Sequence, residues 1–330
     1  MSIDWKHFCE IIHGHQRFLL ISHIRPDCDA LGSELGMAGV LEALGKSVRI
    51  VNGQATPPNL AFLDPQQKIK AIHEHVQPAE LADVEVAMIL DTSAWAQLGP
   101  MSDWIKETKA QIIILDHHVS ADELGAISFK NTSAEATGRL VVEAAEALGV
   151  KLTAEIATPL FAALATDTGW FRFGSAGATC YRTAAKLIEA GASPAQIYGD
   201  LYERETEGRV RLRGVVLARI ETEFDTRLVH TFIKTEDFAK TGAVPTDTED
   251  LINLTLAIQG TQFAVIFVEQ LSGGYKLSFR SRCALDCSRI SEKFGGGGHK
   301  AAAGAFLDGS LEEVQDKVLK VVRAEIESLT

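Results

Sequence analysis

The first strongly patterned stretch is Phe18-Leu-Leu-Ile-Ser-His23, four apolar residues that run without polar alternation into a polar stop. A short unbroken apolar run predicts a strand buried on both faces. Apolar positions then recur at helical spacing through Leu31, Leu35, Ala38, Leu41 and Leu44, predicting a helix over 30–44. Residues 48–51 read as a second strand and Thr56-Pro-Pro-Asn59 as a loop. Residues 86–90 form a third apolar run that stops at Asp91, and 112–115 a fourth that stops at Asp116. Helices are predicted over 137–148, 154–165 and 179–190.

The pattern changes near residue 194. Charges crowd together at Glu203, Arg204, Glu205, Glu207, Arg209, Arg211 and Arg213, which suits an exposed helical connector. Beyond it, 227–234 alternates like a strand, and 263–270 with 275–280 predicts a hairpin closed around Ser272-Gly-Gly. A helix over 286–294 leads into Gly295-Gly-Gly-Gly298, and 311–329 reads as an amphipathic terminal helix. Strands alternating with helices predict an α/β fold. The expected organisation is a parallel-sheet N-terminal domain over 1–193, a helical linker over 194–222 and a smaller α+β domain over 223–330.

Composition narrows the picture. The 330 residues are 46% apolar and 23% charged, enough for two ordinary cores. No apolar run is long enough for a membrane span. The N-terminal segment mixes Asp4, Lys6 and Glu10 with histidines and lacks the apolar centre of a secretory signal. Five scattered cysteines, at 9, 28, 180, 283 and 287, read as free thiols, which predicts a cytoplasmic protein. The net charge of −12 favours a small substrate over long duplex nucleic acid, which usually meets a basic face.

The candidate chemistry sits where strands stop. His23-Ile-Arg-Pro-Asp27-Cys-Asp29 places an imidazole and two carboxylates within seven residues, between a strand and a helix. An aspartate there is also an ordinary helix N-cap, but one cap does not need all three groups. Asp91 ends the third strand, and a turn-forming aspartate is its plainer reading. Asp116-His117-His118 ends the fourth; adjacent residues there point different ways, so one histidine can ligate metal while the other faces substrate. Asp167 closes a helix. In an open parallel sheet, ligands bind beyond the carboxyl ends of the strands, so these distant segments are expected to meet. Carboxylates with imidazoles and no thiolates suit manganese, with magnesium or cobalt as substitutes.

In the second half, Gly295, Gly296, Gly297 and Gly298 precede His299, and Arg280 and Arg282 flank Ser281 on one expected strand face. Four glycines make either a hinge or a backbone cradle for an anion. The three neighbouring cations favour a pocket for a terminal phosphate. Among the aromatics, Trp170, Phe171 and Phe173 are candidates for stacking on a base, with core packing expected for at least two of them. His7, His13, His15, His73, His75 and His230 show no partner pattern and read as surface residues.

Together, His23-x-x-x-Asp27-x-Asp29, Asp116-His117-His118, Ser278-Phe-Arg280-Ser-Arg282 and Gly295-Gly-Gly-Gly-His299-Lys-Ala-Ala-Ala-Gly304 resemble the DHH/DHHA1 phosphoesterase family. Size and domain order resemble its branch of bacterial oligoribonucleases and 3′-phosphoadenosine-5′-phosphate phosphatases. The resemblance implies a site for two manganese ions. His23, Asp27 and Asp91 would hold one, and Asp29, Asp91, His117 and Asp167 the other, with Asp91 bridging. His118 would face the scissile phosphate and Asp116 would orient a neighbour. Arg280, Arg282, the glycine run and His299 would grip the substrate's far end. Cys28 stands where the family usually has glycine.

The function expected is metal-dependent hydrolysis of short RNA or DNA oligonucleotides and small nucleotides to mononucleotides, by an enzyme that could work as a homodimer without a membrane. Hydrolysis of cyclic di-AMP is the alternative within the enzymes, and a non-catalytic nucleotide-sensing module is the alternative outside them.

Overall fold

The computed structural model describes residues 3–119 and 122–328. Met1, Ser2 and Leu329, which figured in the expectations for the two termini, lie outside the described residues. The chain divides into two compact units, one ending at Glu203 and the next beginning at Arg204. Among the described residues, no helix is long and apolar enough to cross a membrane.

In the first unit, α1 (Trp5–Gly14) precedes β1 (Arg17–Ile21), α2 (Cys28–Ala43), β2 (Ser47–Asn52), β3 (Ile69–Ala71) and β4 (Val86–Leu90). Short helices α3 (Trp95–Leu98) and α4 (Met101–Glu107) lead to β5 (Gln111–Asp116) and β6 (Ile127–Lys130). The unit ends with α5 (Thr137–Ala147), α6 (Ala154–Asp167), α7 (Ala178–Glu189) and α8 (Pro194–Tyr202). All six strands are parallel, in the order β3-β2-β1-β4-β5-β6. The unbroken apolar runs follow from burial on both faces: Phe18 and Leu20 join one core cluster, Leu19 and Ile21 another.

Strand order reverses between β1 and β4. The chain winds outward through β2 and β3, returns to β4 beside β1, and then winds the other way. Helices leave opposite faces on either side of such a switch point, which opens a crevice at the strand ends. His23 and Asp91 follow the two strands that flank it. A second constraint comes from α2 and α6. Glycines on α2 face α6 so closely that a Cβ at Gly32 would stand 2.3 Å from the Pro159 carbonyl oxygen. This contact sets Asp29, at the start of α2, near Asp167, at the end of α6.

The second unit contains α9 (Glu207–Ala218), β7 (Glu221–Glu223), β8 (Leu228–Ile233), α10 (Thr235–Thr241) and α11 (Leu251–Thr255). The hairpin β9 (Phe263–Glu269) and β10 (Tyr275–Ser281) follows, then α12 (Cys287–Glu292), β11 (Gly297–Gly298), β12 (Ala302–Leu307) and α13 (Leu311–Glu327). They build a mixed six-stranded sheet, β11-β12-β10-β9-β8-β7, with β8 and β9 parallel. Core clusters lie on both of its faces. The expected surface position of His230 is overturned: its side chain is buried, and its Nε2 lies 3.0 Å from Glu223 Oε1. A carboxylate from the neighbouring strand makes that burial affordable.

Candidate metal centre

The carboxyl ends of β1, β4 and β5, the start of α2 and the end of α6 converge on one cluster. Three sets of ligand atoms lie within 4.8 Å of one another: His23, Asp27 and Asp91; Asp29, His117 and Asp167; and Asp91, His117 and His118. Asp91 lies at the centre. Its Oδ2 is 3.4 Å from His23 Nε2, and its Oδ1 is 3.5 Å from His117 Nε2. Asp91 is buried and has a φ of +63°, a strained value for a residue with a Cβ. His117 Nε2 is also 3.5 Å from Asp167 Oδ2 and 3.7 Å from Asp29 Oδ2.

Capping and candidate ligation are not exclusive at Asp27. Its Oδ1 caps α2 by accepting from the backbone N–H groups of Asp29 and Ala30, both at 3.0 Å. The same oxygen is 3.9 Å from His23 Nε2. Asp29 performs a cap at long range. Its carboxylate accepts from Thr137 N at 2.7 Å and Gly138 N at 2.8 Å, the first two residues of α5, whose own Ala136 offers no cap. A carboxylate at a helix N-terminus is favoured by the exposed N–H groups there.

Thr137 was not singled out by its sequence, yet its hydroxyl donates to Asp91 Oδ1 at 2.9 Å. Ser93 and Lys130 were also missed. Ser93 Oγ donates to Asp116 Oδ2 at 2.8 Å, and Lys130 Nζ lies 3.0 Å from the same oxygen. Asp116 Oδ1 is 2.8 Å from His118 Nδ1, which leaves Nε2 of that half-exposed ring for other partners. Behind the cluster, buried Asn52 accepts from Ser22 N and donates to Glu34 Oε2. None of these residues forms a local motif; each arrives from a different strand end or helix.

The electrostatics are those of a site short of positive charge. Burial, with the neighbouring Asp91 and Asp167 charges, drives Asp29 well above the usual carboxylate range. Burial and the surrounding aspartates push Asp167 up to about 6. Burial opposes charge on His23 and His117, but the Asp91 hydrogen bond, a backbone carbonyl and the neighbouring aspartate charges together outweigh it and push both up to about 9. Asp91 is held low despite its burial, because both imidazoles bond to it. Protons thus collect on the histidines to balance the carboxylates. A divalent cation would supply that balance directly, and the oxygen and nitrogen donor set fits manganese or a similar ion. A cavity of about 230 Å³ opens here, lined by His23, Asp27, Asp91, Ser93, Gln97 and His118.

The second unit holds the other sequence candidates. Arg280 shares a face of β10 with Lys276 and Ser278, and these three line a cavity of about 230 Å³ with Glu249 and Asp250. Arg282 follows the strand, and its Nη1 donates to Leu256 O at 2.7 Å. The glycine run is not a free hinge. Gly297 and Gly298 form β11 and pair with Gly304 and Ala303 of β12. A Cβ at Gly296 would stand 2.1 Å from Gly304 O, so these glycines permit close strand approach. His299 is exposed, and its backbone closes the turn to Ala302.

Residues 17–164 match the family model for the DHH family N-terminal domain, and residues 225–328 match that for the DHHA1 domain. The chain is similar to the bifunctional oligoribonuclease and PAP phosphatase NrnA of Thermus thermophilus, with 32% identity over 309 residues, 93% of this chain and 89% of that protein. The protein of the same name from Bacillus subtilis is 25% identical over 296 residues, 89% of this chain and 90% of its own. Among solved structures, an exopolyphosphatase-related protein from Bacteroides fragilis superposes with a TM-score of 0.80 at 26% identity, over 98% of this chain and 95% of that one.

Proposed function

The chain belongs to the DHH family, with a DHHA1 domain as its second half, and from that premise we propose that it is a metal-dependent phosphoesterase. Its substrates are short oligonucleotides, cleaved to mononucleotides, and 3′-phosphoadenosine 5′-phosphate, cleaved to AMP. The observation that carries this reading is the gathering of Asp91, three imidazoles and three further carboxylates at the switch point of the sheet. The names of the two NrnA relatives supply the substrate class.

In this reading His23, Asp27 and Asp91 would hold one manganese ion, and Asp29, Asp91, His117 and Asp167 would hold a second. Bound there, such ions lower the pKa of water and neutralise charge on phosphoryl oxygens. The chain's own groups do the rest. Asp116 accepts from the Nδ1–H of His118, fixes the ring and favours its protonated form, so the Nε2–H of the imidazolium can donate to a phosphoryl oxygen. Burial would raise Asp116, but bonds from His118, then Lys130 and Ser93, outweigh it and keep the carboxylate ionised, and Lys130 and Ser93 hold it in place. Asp29 locks α5 against the site, and Thr137 orients Asp91. Arg280, Arg282 and His299 bind further phosphates of the substrate.

The test is hydrolysis with Mn²⁺ of an RNA dimer, a 24-mer, pApA, cyclic di-AMP, 3′-phosphoadenosine 5′-phosphate and pyrophosphate, by wild type and Asp91→Ala. Fast cleavage of the dimer and the bisphosphate, slow cleavage of the 24-mer and an inactive variant are expected. Cleavage of cyclic di-AMP alone would move the activity to dinucleotide signalling. Metal uptake without turnover of anything would overturn the assignment in favour of a nucleotide sensor.

A further inference from the structure

The turn that leaves α6 is built against local preference. Gly169, Trp170 and Phe171 all have positive φ, at 57°, 58° and 63°. Bulky L-residues avoid that region because Cβ crowds the following carbonyl. Such backbone persists only where its surroundings enforce it, and it concentrates at ligand clamps. Here the enforcement is visible. The Trp170 ring packs 6.1 Å from Phe161, 5.0 Å from Tyr198 and 5.8 Å from Tyr202. Phe171 stacks on Tyr181 at 5.5 Å, and the Tyr181 hydroxyl donates to Phe171 O. Trp170 N donates to Ala165 O, and the backbone N–H groups of Arg172 and Phe173 both donate to Thr168 O.

Two of the segment's three aromatics are therefore packing residues, and the third is thrown outward. Phe173 is 54% exposed. Its ring lies over Gly169, where a Cβ would stand 2.5 Å from two ring carbons. Gly169 thus supplies both the backbone angle and the room for the ring. Arg172 is also exposed, and its Nε donates to Gly169 O at 2.7 Å, which ties the guanidinium to the same residue. Gly169 is two residues from Asp167, so their Cα atoms are within about 7 Å. A single exposed ring needs no explanation. A ring seated on a glycine by an enforced turn, beside a cation and next to a carboxylate of the cluster, does.

We propose that the Gly169–Phe173 turn is the base-reading element of the first unit. Phe173 stacks on the nucleobase of the nucleotide being cleaved, and Arg172 meets a phosphate of that nucleotide. The inference rests on the nucleotide-hydrolase reading and deepens it. Stacking on an exposed aromatic is tolerant of base identity, so the turn selects for a base rather than for one base.

The test compares an intact RNA dimer with the same dimer carrying an abasic residue, using wild type, Phe173→Ala, Phe173→Trp and Arg172→Ala. Wild type should favour the intact dimer. Phe173→Ala should reduce that preference in kcat/KM by about tenfold, the size of one aromatic contact to a base, and Phe173→Trp should restore it. Arg172→Ala should raise KM for both dimers. A dimer containing 2-aminopurine, titrated with Ca²⁺ in place of Mn²⁺, should be quenched by wild type and not by Phe173→Ala. Equal losses on both dimers, or an unchanged preference, would overturn the proposal. Hydrolysis by wild type without quenching would overturn it while leaving the enzyme reading intact. Quenching without hydrolysis would uphold the stacking platform and overturn the enzyme reading.

Discussion

The two units handle charge in opposite ways. The first buries Asp29, Asp91 and Asp116 almost completely at strand ends and balances them with histidines, Lys130 and helix N–H groups. The second leaves His299 and Arg282 exposed and buries Asp237 against Arg219. One half spends folding energy on a preorganised anionic cluster; the other keeps its cations at the surface. A cluster of that kind is unfavourable to assemble without a cation. The first unit is therefore expected to respond to metal and the second to be indifferent to it.

The sharpest way to break this contrast is Asp91→Ala. Partners that only orient a ligand typically contribute 10–100-fold, so removing the carboxylate shared by two of the three candidate sets should cost more than about a hundredfold in kcat. Manganese affinity measured by calorimetry should fall with it. Arg280→Ala should raise KM several-fold and leave manganese affinity unchanged. If the two variants lost metal equally, the division of labour would be wrong.

The next prediction concerns protons. His23 and His117 sit at about 9 in the metal-free protein, against 6.5 ordinarily, and Asp167 at about 6 against 3.8. Raised values mean that the folded state binds protons more tightly than the unfolded state. Their contribution to stability is complete below the ordinary values and is lost as pH rises through the folded ones. Metal-free protein should therefore lose stability in the first unit between about pH 4 and 9. All four tryptophans, at 5, 95, 104 and 170, lie in that unit, so tryptophan fluorescence melts report on it alone. With manganese the trend should reverse, because the metal displaces about two protons and its affinity should climb by up to about a hundredfold per pH unit near neutrality. Calorimetry in buffers of different ionisation enthalpy counts the protons released.

What the sequence made legible follows the same division. Strand ends in the first unit were readable because unbroken apolar runs locate buried strands, and polar residues that stop them must lie at the sheet's edge. His23, Asp91 and Asp116 all came from that rule. Thr137, Lys130 and Glu34 did not, because each reaches the cluster through tertiary packing and carries no spacing signal. β3 and β6 were too short to show a period, while α1 did carry a helical signal that went unread, with Asp4 as N-cap and Trp5, Phe8, Ile11 and Ile12 on one face. The glycine run was ambiguous for a physical reason. Glycine permits hinges, cradles and close strand contacts alike, and only the partner strand β12 shows which one applies.

That ambiguity gives the third prediction. Gly296→Ala puts a methyl group against Gly304 O and should destabilise the second unit by about 1–3 kcal/mol, as overpacking does. Gly297→Ala meets nothing within 4 Å and should cost no more than about 0.5 kcal/mol. A hinge would tolerate both substitutions equally. Hydrogen exchange at β12 amides distinguishes the cases, since its protection depends on the β11 pairing.

The smallest expected effect tests the sign of the contrast. Burial alone would raise Asp237, but Arg219, the Lys234 backbone N–H and the Arg219 charge outweigh it and hold the carboxyl below its ordinary range. A lowered value means that the unfolded state binds the proton more tightly, so this contribution is present above about pH 3.8 and is lost as pH falls through the folded value. The second unit should thus weaken as pH falls below about 3.8, whereas the raised groups of the metal-free first unit weaken it as pH rises from about 4 to 9. Hydrogen exchange of the β8 and β9 amides between pH 3 and 6, corrected for intrinsic rates, should show protection rising with pH. Asp237→Asn should flatten that slope without changing the first unit's fluorescence melts. A second unit that weakened in step with the first between about pH 4 and 9 would mean that charge is balanced alike in the two halves, and the metal-poor cluster would no longer distinguish one from the other.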